Sequence, residues 1–332
     1  MKKCLLYVFS GTGNTALASK FLAKHLSENG YEVTNYLFQA PNSEVPCAEG
    51  YDLVGFGYPI HAFNVPGAFA KFVNKLPKLS KRTKAFIFKV SGEPYHLNDS
   101  SSHHIVPKLK RRGYDLIMEK HLLMPYNIMF RYPDGVAKQM YLYLDALTNV
   151  LAKKLAAEEE DKLHYNIALN FFSVLLRIEW VAPKLNCLFV RIDKKKCTNC
   201  HLCMNKCPTQ SMYLSKKGEI RIHSSCAMCM NCTYCCPKNA IKFGFMNNWK
   251  VNGPFNYEKI KNDESIKADY INRNTKDYFR HFKNYYYEQN LLLTKYQIPL
   301  PVNYPDNESL LNKKEDKKYA KQIKKESKAS KF

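Results

Sequence analysis

The sequence predicts an α/β fold: a doubly wound parallel sheet of five strands, followed by a small cysteine-rich α+β domain. In the first half of the chain, short apolar segments alternate with loops and amphipathic segments, the pattern of strands that are separated by helices. A glycine-rich loop at residues 10–15 joins the first strand to the first helix. Between Cys197 and Pro237, a four-cysteine motif occurs twice in register, and the second copy starts 29 residues after the first. A chain of 332 residues is long enough for two domains with separate cores.

The periodicity of apolar residues places the elements of the first domain. We expect strands at 3–9, 32–38, 53–56, 84–90 and 116–124, and helices at 16–29 and 101–112. Gly30 and Gly113 stand where helix C-caps are expected. A longer helix should start at Asp134, with one apolar face formed by Val136, Met140, Leu144, Leu147, Leu151 and Leu155.

The loop Ser10-Gly11-Thr12-Gly13-Asn14-Thr15 is suited to binding a phosphate group. Such a loop aims backbone N–H groups and a helix N-terminus at an anion. It lacks the lysine of a Walker A motif, and the second strand does not end in the acidic residue that holds a ribose in dinucleotide-binding folds. Its hydroxyl and amide side chains instead favour a phosphate monoester. The alternative is a simple turn between strand and helix.

This loop resembles the phosphate loop of flavodoxins, with Ser10, Thr12, Gly13, Asn14 and Thr15 at the matching positions. The resemblance implies a flavodoxin-like sheet that binds FMN. It also implies that the loops after the third and fourth strands contact the flavin ring, because ligands bind beyond the carboxyl ends of such strands. The candidate ring contacts are Tyr58, Pro59, His61, Phe63, Ser91 and Gly92. Each of these residues is also compatible with a packing role in the core.

The cysteine repeat reads Cys-x2-Cys-x2-Cys-x3-Cys-Pro in both copies. It resembles the motif of bacterial ferredoxins with two 4Fe–4S clusters, in which the fourth cysteine of each copy ligates the other cluster. The resemblance implies that one cluster is held by Cys197, Cys200, Cys203 and Cys236. The other cluster would be held by Cys226, Cys229, Cys232 and Cys207.

A pair of zinc sites is the alternative interpretation of the repeat. Zinc sites commonly use two separated cysteine pairs, without a third cysteine at the same spacing or a following proline. The pattern therefore favours clusters. Cys235 could replace Cys236 as a ligand, but the spacing in the first copy and the proline after Cys236 indicate that Cys235 is a spare thiol.

The cysteines and the net charge indicate the cellular compartment of the protein and the kind of partner it binds. Eight of the twelve cysteines belong to the repeat, which needs reduced thiolates, so we expect a cytoplasmic protein in which Cys4, Cys47 and Cys187 are unpaired. The start of the chain is interpreted as a strand rather than a signal peptide, and we expect no integral membrane span. The net charge is +22, and the region 191–245 has ten Lys and Arg against two acidic residues. Such a basic domain would attract an acidic redox protein, an anionic membrane or nucleic acid.

The predicted domain boundaries follow from these motifs. The first domain spans 1–163, a helical linker 164–192, the cluster domain 193–246, an extension 247–312 and a disordered basic tail 313–332. The linker should dock the two domains together, although Phe171, Phe172 and Trp180 could instead contact a membrane surface. We expect residues 249–257 to lie over the cluster domain. Further on, Tyr278, Phe282 and Tyr285 fall on one helical stripe amid basic residues.

The main functional hypothesis is an electron-transfer protein that carries FMN and two 4Fe–4S clusters, with an external protein or small molecule as donor or acceptor. A flavin-dependent reductase of a small molecule is the second hypothesis. The third is an iron–sulfur protein that binds or senses nucleic acid, suggested by the charge and the aromatic stripe; it is disfavoured because it leaves the glycine-rich loop unexplained. No catalytic residue can be assigned from the sequence.

Overall fold

The structure is a computed structural model that describes residues 1–38, 45–161, 167–250 and 253–304. The first domain is built on one sheet whose strands are β1 Lys2–Val8, β2 Tyr31–Leu37, β3 Leu53–Pro59, β4 Thr83–Ser91 and β5 Tyr114–Leu123. All neighbouring strands are parallel and their order is β2-β1-β3-β4-β5. This is the strand order of the flavodoxin-like doubly wound fold, so the predicted fold class is confirmed.

Helices cover both faces of this sheet. They are α1 Asn14–Glu28, α2 Gly67–Lys75, α3 Val106–Arg111 and α4 Asp134–Ala156. The predicted apolar face of α4 is confirmed, since all six of its members are buried in the core that α4 and α1 form on one side of the sheet. Helices α2 and α3 cover the other side.

Two local predictions differ from the structure. The helix expected at 101–112 is divided into a 3-10 helix, His96–Ser102, and the shorter α3, because Pro107 sits in the first turn of α3 and favours a helix start there. Helix α2 was not predicted. Its signal was present in the sequence, because Phe69, Ala70, Phe72 and Val73 have helical spacing and are all buried.

The cysteine-rich region folds around two small antiparallel sheets. Its elements are β6 Val190–Ile192, α7 Leu202–Asn205, β7 Met212–Leu214, β8 Ile220–Ile222, α8 Asn231–Tyr234 and β9 Ile241–Phe243, with β6 paired to β9 and β7 to β8. The sequence repeat is also a backbone repeat. Left-handed residues at Asn199, His201 and Gln210 recur 29 positions later at Met228, Met230 and Asn239.

The segment between the two domains docks onto both of them. It contains α5 Ile167–Leu175, the 3-10 helix Leu176–Trp180 and α6 Ala182–Cys187. The Trp180 indole N–H donates to the carbonyl of Val65 at 3.1 Å, and the Asn186 amide reaches the carbonyl of Phe243 at 3.4 Å. Trp180 is therefore used for packing, whereas Phe171 is 62% exposed and the Phe172 side chain lies outside the described residues. Among the helices of the described residues, none is both long and apolar enough to cross a bilayer.

The extension packs mainly on the first domain rather than over the cysteine-rich region. It contains α9 Tyr257–Asn262, a 3-10 helix Tyr278–Phe282 and α10 Lys283–Lys295. Its buried residues Phe282, Tyr286 and Leu293 join the core beneath α4. In the described part of the segment expected over the cluster domain, Gly253 approaches the Tyr234 ring, while Tyr257 stacks on Tyr141 of α4. The predicted tail, 313–332, lies outside the described residues.

Candidate functional site

The glycine-rich loop ends β1 and starts α1 with its hydrogen-bonding groups available. Gly13, the residue before α1, has φ = 109° and no side chain that could cap the helix. The Ser10 hydroxyl accepts a hydrogen bond from the Ala16 N–H at 3.2 Å, which tightens the turn. A β-carbon placed on Gly13 would have no atom within 4 Å, so open space lies beside the loop. The N–H groups at the start of α1, next to this open space, are suited to an anion.

The loop after β5 closes against this first loop. The Asn14 amide donates to the Pro125 carbonyl at 2.8 Å, and the Asn127 amide donates to the Thr12 hydroxyl at 2.6 Å. Within the described residues, the Asn127 Oδ1 atom is buried and has no hydrogen-bond partner. A buried amide oxygen without a donor is costly, so this position fits a ligand that supplies a hydroxyl or N–H group. These residues therefore fit FMN, whose ribityl chain carries hydroxyls.

In and before the loop after β3, one of the four candidate ring contacts, Tyr58, lies in the core. Tyr58 still belongs to β3, is fully buried, and packs on Phe69, so the structure places it in the core rather than in a position to contact a ring. Pro59, His61 and Phe63 lie at the end of the strand and in the loop beyond it. Phe63 has φ = 62°, a conformation that non-glycine residues rarely adopt outside constrained loops. Burial lowers the pKa of His61 to about 4, so this imidazole is neutral near pH 7.

The loop after β4 is covered by an aromatic side chain. A β-carbon on Gly92 would lie 2.7 Å from the ring of Tyr126, so glycine is required for this close approach. The Ser91 hydroxyl donates to the Glu93 carbonyl at 2.9 Å and lies 2.7 Å from the His121 Nε2 atom. Burial lowers the pKa of His121 to about 3. The neutral imidazole can therefore donate its Nε2–H to Ser91 and fix this loop.

Sequence reasoning missed a buried carboxylate in the same loop. Glu93 is 2% exposed and accepts hydrogen bonds from the hydroxyls of Tyr132 and Tyr278. Its other oxygen lies 2.7 Å from the His281 Nε2 atom, and His281 stacks on Tyr95. Glu93 therefore ties the C-terminal extension to the loop that was expected to line a flavin ring. No local pattern signals this contact, because Tyr278 is 185 residues away along the chain.

The first predicted ligand set lines one cavity in the cysteine-rich region. The cavity is bordered by Cys197, Cys200, Cys203 and Cys236, together with Ile192 and Ile220. Burial and the neighbouring thiols Cys235, Cys236 and Cys197 raise the pKa of Cys203 to about 11. The last cysteine of the second motif thus lies among the first three of the first motif.

The second predicted set shows the reciprocal arrangement. Cys207, from the first motif, is an electrostatic neighbour of both Cys229 and Cys232 in the second motif. Burial and, to a smaller extent, Cys207 raise the pKa of Cys229 to about 12. Backbone N–H groups point at the two crossed sulfurs at equivalent positions of the repeat. The N–H of Ser211 donates to Cys207 Sγ at 3.3 Å, and that of Ala240 donates to Cys236 Sγ at 3.3 Å.

Within the part of the chain that the structure describes, no group of three or more His, Cys, Asp or Glu side chains is placed to hold a single metal ion. Two further thiols, which were not predicted to be ligands, lie close to the predicted ligand sets. The Cys187 thiol donates to the His223 carbonyl at 3.2 Å, and the Cys235 thiol donates to the Cys232 carbonyl at 3.5 Å.

The two candidate sites touch each other. A β-carbon on Gly11, in the glycine-rich loop, would lie 2.4 Å from Cys229 Cβ and 3.3 Å from Cys229 Sγ. Ala227 also packs against the core of the first domain. Two further contacts hold this junction, since the Tyr234 hydroxyl and the Gly253 N–H both donate to the Asn127 carbonyl, at 2.7 and 3.0 Å. The second cysteine motif therefore faces the glycine-rich loop.

Comparisons with known proteins found a family match and several similar solved structures. Residues 190–213, which contain the first cysteine motif, match the 4Fe-4S binding domain family. Solved structures similar to the chain include a flavodoxin from the domain Archaea, with 12% identity, a TM-score of 0.33 and coverage of 46% of this chain and 98% of that one. Another is oxidised Flavodoxin 1 from Bacillus cereus, with 16% identity, a TM-score of 0.32 and coverage of 45% and 98%.

The chain thus joins a domain of flavodoxin-like topology to a 4Fe–4S binding domain. A relative from Methanocaldococcus jannaschii, "Uncharacterized protein MJ0298", is 31% identical over 119 residues, which are 36% of this chain and 73% of that protein. With this identity over more than two thirds of the relative's length, the chain belongs to the same protein family as MJ0298.

Proposed function

We propose that this protein transfers electrons between FMN, two 4Fe–4S clusters and an external redox partner. The observation that carries the proposal is the contact of Gly11 with Cys229. It brings the candidate phosphate loop of a flavin site against a candidate cluster ligand, with no intervening residue. An arrangement of this kind is expected where two redox sites exchange electrons directly.

The flavin part of the proposal is supported by the groups around the glycine-rich loop. The open N-terminus of α1 and the hydroxyls of Ser10 and Thr12 would hold the phosphate. Asn127 Oδ1 would accept a hydrogen bond from the ribityl chain. Pro59, His61, Phe63, Ser91 and Gly92 stay candidates for the ring, whereas the burial of Tyr58 argues for a packing role.

Two clusters, rather than one, are supported by the equivalence of the two motifs. The helices α7 and α8, the left-handed residues and the N–H bonds to Cys207 and Cys236 all repeat at an offset of 29 residues. Each motif therefore offers the same surroundings for three thiolates and receives the fourth from its partner.

The chemistry of the proposed groups explains why one chain would contain both. A flavin can exchange two electrons with one partner and release them singly, while each cluster carries one. Linking the sites in one chain keeps the local concentration of donor at acceptor high. We propose a cytoplasmic location, because the thiolates must stay reduced.

A flavin-dependent reductase is the second candidate function, and the surroundings of Glu93 favour it. Tyr95 is 43% and Tyr278 is 50% exposed, and both flank the partly exposed His281 beside the loop that contains Gly92. An accessible group of aromatic rings could bind a small planar molecule near the flavin. Single-turnover reoxidation of the flavin by such a molecule, faster than by the clusters alone, would support this candidate.

The nucleic-acid hypothesis loses its main support. Of the aromatic stripe, Phe282 is fully buried, Tyr285 packs against the core and the Tyr278 hydroxyl is bonded to Glu93. Phe282 and Tyr285 therefore pack inward, and one exposed ring, that of Tyr278, does not form a surface on which successive bases could stack.

Anaerobic purification with metal, sulfide and flavin analysis tests the proposal. We expect about eight iron atoms and one FMN per chain. The flavin should be reduced when the clusters are reduced, which absorbance spectra can follow. Zinc in place of iron, together with an absence of flavin, would contradict both redox functions.

A further inference from the structure

An open groove lies on the side of the cysteine-rich region where the first motif begins. It has a volume of about 810 Å³ and is bordered by β6, by the start of the first cysteine motif and by the β7–β8 hairpin. The residues that matter for its chemistry are Leu188, Arg191, Lys194, Cys197, Lys217 and Arg221. None of these residues is used by the proposed flavin site.

The groove is strongly basic. It contains four cationic side chains, while Glu219 is the acidic residue among those that border it. Glu219 bridges Lys194 at 2.5 Å and Arg221 at 2.7 Å, so one negative charge is shared by two cations. Among the described residues, Arg191 donates only to backbone carbonyls, those of Leu188 and Val190, so no carboxylate there compensates its charge. The groove therefore carries an excess of about three positive charges, which attracts an anionic surface.

The groove also reaches a candidate cluster ligand. Cys197 borders both the groove and the cavity lined by Cys200, Cys203 and Cys236. Cys229, in contrast, faces Gly11 at the other candidate site. A molecule bound in the groove would thus lie beside the first cluster, while the second would lie beside the flavin. In this arrangement the second cluster would exchange electrons with the flavin, and the first cluster would exchange them with an external partner.

We propose that this groove is the docking site of an acidic redox protein, which exchanges single electrons with the cluster held by Cys197. The proposal rests on the proposed electron-transfer function and adds the place where the partner binds. In each exchange, the partner's redox centre loses one electron and the cluster gains it, or the reverse; no covalent bond and no proton is involved. Leu188, which is 65% exposed, supplies apolar contact area at the groove, and the cationic side chains orient the acidic partner.

The shape of the groove favours a protein over the two other anionic surfaces. A lipid bilayer is flat on this scale and would leave most of a concave groove in water. Single-stranded nucleic acid would need aromatic rings for its bases in addition to the charges. Tyr213 borders the groove, but its ring is stacked on His223 at 3.8 Å. A convex, acidic protein surface complements both the concave shape and the positive charge of the groove.

Charge reversal in the groove tests the proposal. The variant Lys194→Glu/Lys217→Glu changes two exposed residues of the groove. The matched control, Lys78→Glu/Lys81→Glu, makes the same change in charge at exposed residues of the first domain, before β4, that do not border the groove. The probe is an acidic bacterial ferredoxin. Its binding in the oxidised state is measured by calorimetry, and its electron transfer to the intact protein by stopped-flow absorbance at low and high salt.

We expect the groove variant to bind the probe about tenfold more weakly and to lose most of the salt dependence of the rate. The control should stay within about twofold of the wild type. Equal effects of the two variants, with iron content and reduction by dithionite unchanged, would overturn the docking site but not the proposed function. Absence of reducible clusters would overturn the proposed function itself. Loss of binding to anionic vesicles or oligonucleotides, with ferredoxin binding intact, would assign the groove to those partners instead.

Discussion

Gly11 and Cys229 are in direct contact: a β-carbon on Gly11 would stand only 2.4 Å from Cys229 Cβ. One residue belongs to the loop between β1 and α1, and the other to the second cysteine motif. Glycine is required here because the backbone of the first loop approaches a side chain of the other domain. The contact fixes how the two domains face each other and therefore how the candidate redox sites are arranged.

The substitution Gly11→Ala should separate these two sites. The added methyl group overlaps Cys229, and such overpacking typically costs about 1–3 kcal/mol. We expect a lower thermal midpoint and slower electron exchange between flavin and clusters, measured by flash photolysis. Gly67→Ala is the control, because its added β-carbon would make an ordinary contact with Trp180 at 3.4 Å. Unchanged exchange in Gly11→Ala would show that the contact is not on the electron path.

The crossed cysteines lead to a second prediction. Cys236→Ser should alter the cluster of the first motif, and Cys207→Ser that of the second, because each residue lies among the thiols of the other motif. Electron paramagnetic resonance of the reduced protein should show the loss or change of a different signal in each variant. Cys235→Ser is the control and should keep both signals. If Cys235→Ser and Cys236→Ser lose the same signal, the ligand assignment of the second motif is wrong.

The sequence predicted the features that depend on neighbouring residues, and it missed contacts between residues that are far apart in the chain. The five strands, the glycine-rich loop and the cysteine spacing are local patterns, and they predicted the fold class and the ligand candidates. Of the two roles that the sequence left open for Tyr58, the structure favours packing in the core, because β3 continues to Pro59, three residues beyond the point where the apolar segment was expected to end. The contacts of Gly11 with Cys229 and of Glu93 with His281 join residues far apart in the chain, and no single-sequence pattern encodes such pairs.

Glu93 should stabilise the packing of the extension on the first domain. The substitution Glu93→Ala would remove the acceptor of the Tyr278 hydroxyl and of the His281 Nε2 atom, and would leave Tyr132 only the Gly92 carbonyl, at a cost of about 1–3 kcal/mol. We expect a lower midpoint in urea and faster proteolysis between residues 253 and 304. Glu258→Ala removes a carboxylate from an exposed ion pair with Lys261 and should cost less than about 0.5 kcal/mol. Similar effects of the two substitutions would mean that the buried network contributes little.

Thr12 connects the glycine-rich loop to Asn127, and its hydroxyl is also a candidate phosphate ligand. The substitution Thr12→Val keeps the shape but removes the hydroxyl, so flavin affinity should fall by about tenfold, as expected for one lost hydrogen bond to a charged group. Fluorescence titration of the flavin-free protein with FMN measures this change. Iron content should not change. Thr294→Val, in the exposed part of α10, is a control for the loss of a hydroxyl. Normal FMN affinity of Thr12→Val would remove this hydroxyl from the proposed site.

The contribution of His25 to the stability of the folded protein should decrease as the pH rises. Burial alone would lower the pKa of His25, but its hydrogen bonds to Asp145 and Glu28, both at 2.8 Å, outweigh burial and raise it. The folded state therefore binds this proton more tightly than the unfolded state, whose histidine pKa is about 6.5. The stabilisation is fully present below that pH and is lost as the pH rises through the raised pKa. We expect His25→Gln to cost about 0.5–1 kcal/mol more at pH 6 than at pH 9, measured by urea denaturation. Lys24→Gln, which removes an exposed cation near Glu28 and Asp145 but keeps both hydrogen bonds of His25, should show a much smaller difference. A cost of His25→Gln that is equal at both pH values would mean that the ring is held by packing and neutral hydrogen bonds rather than by its charge.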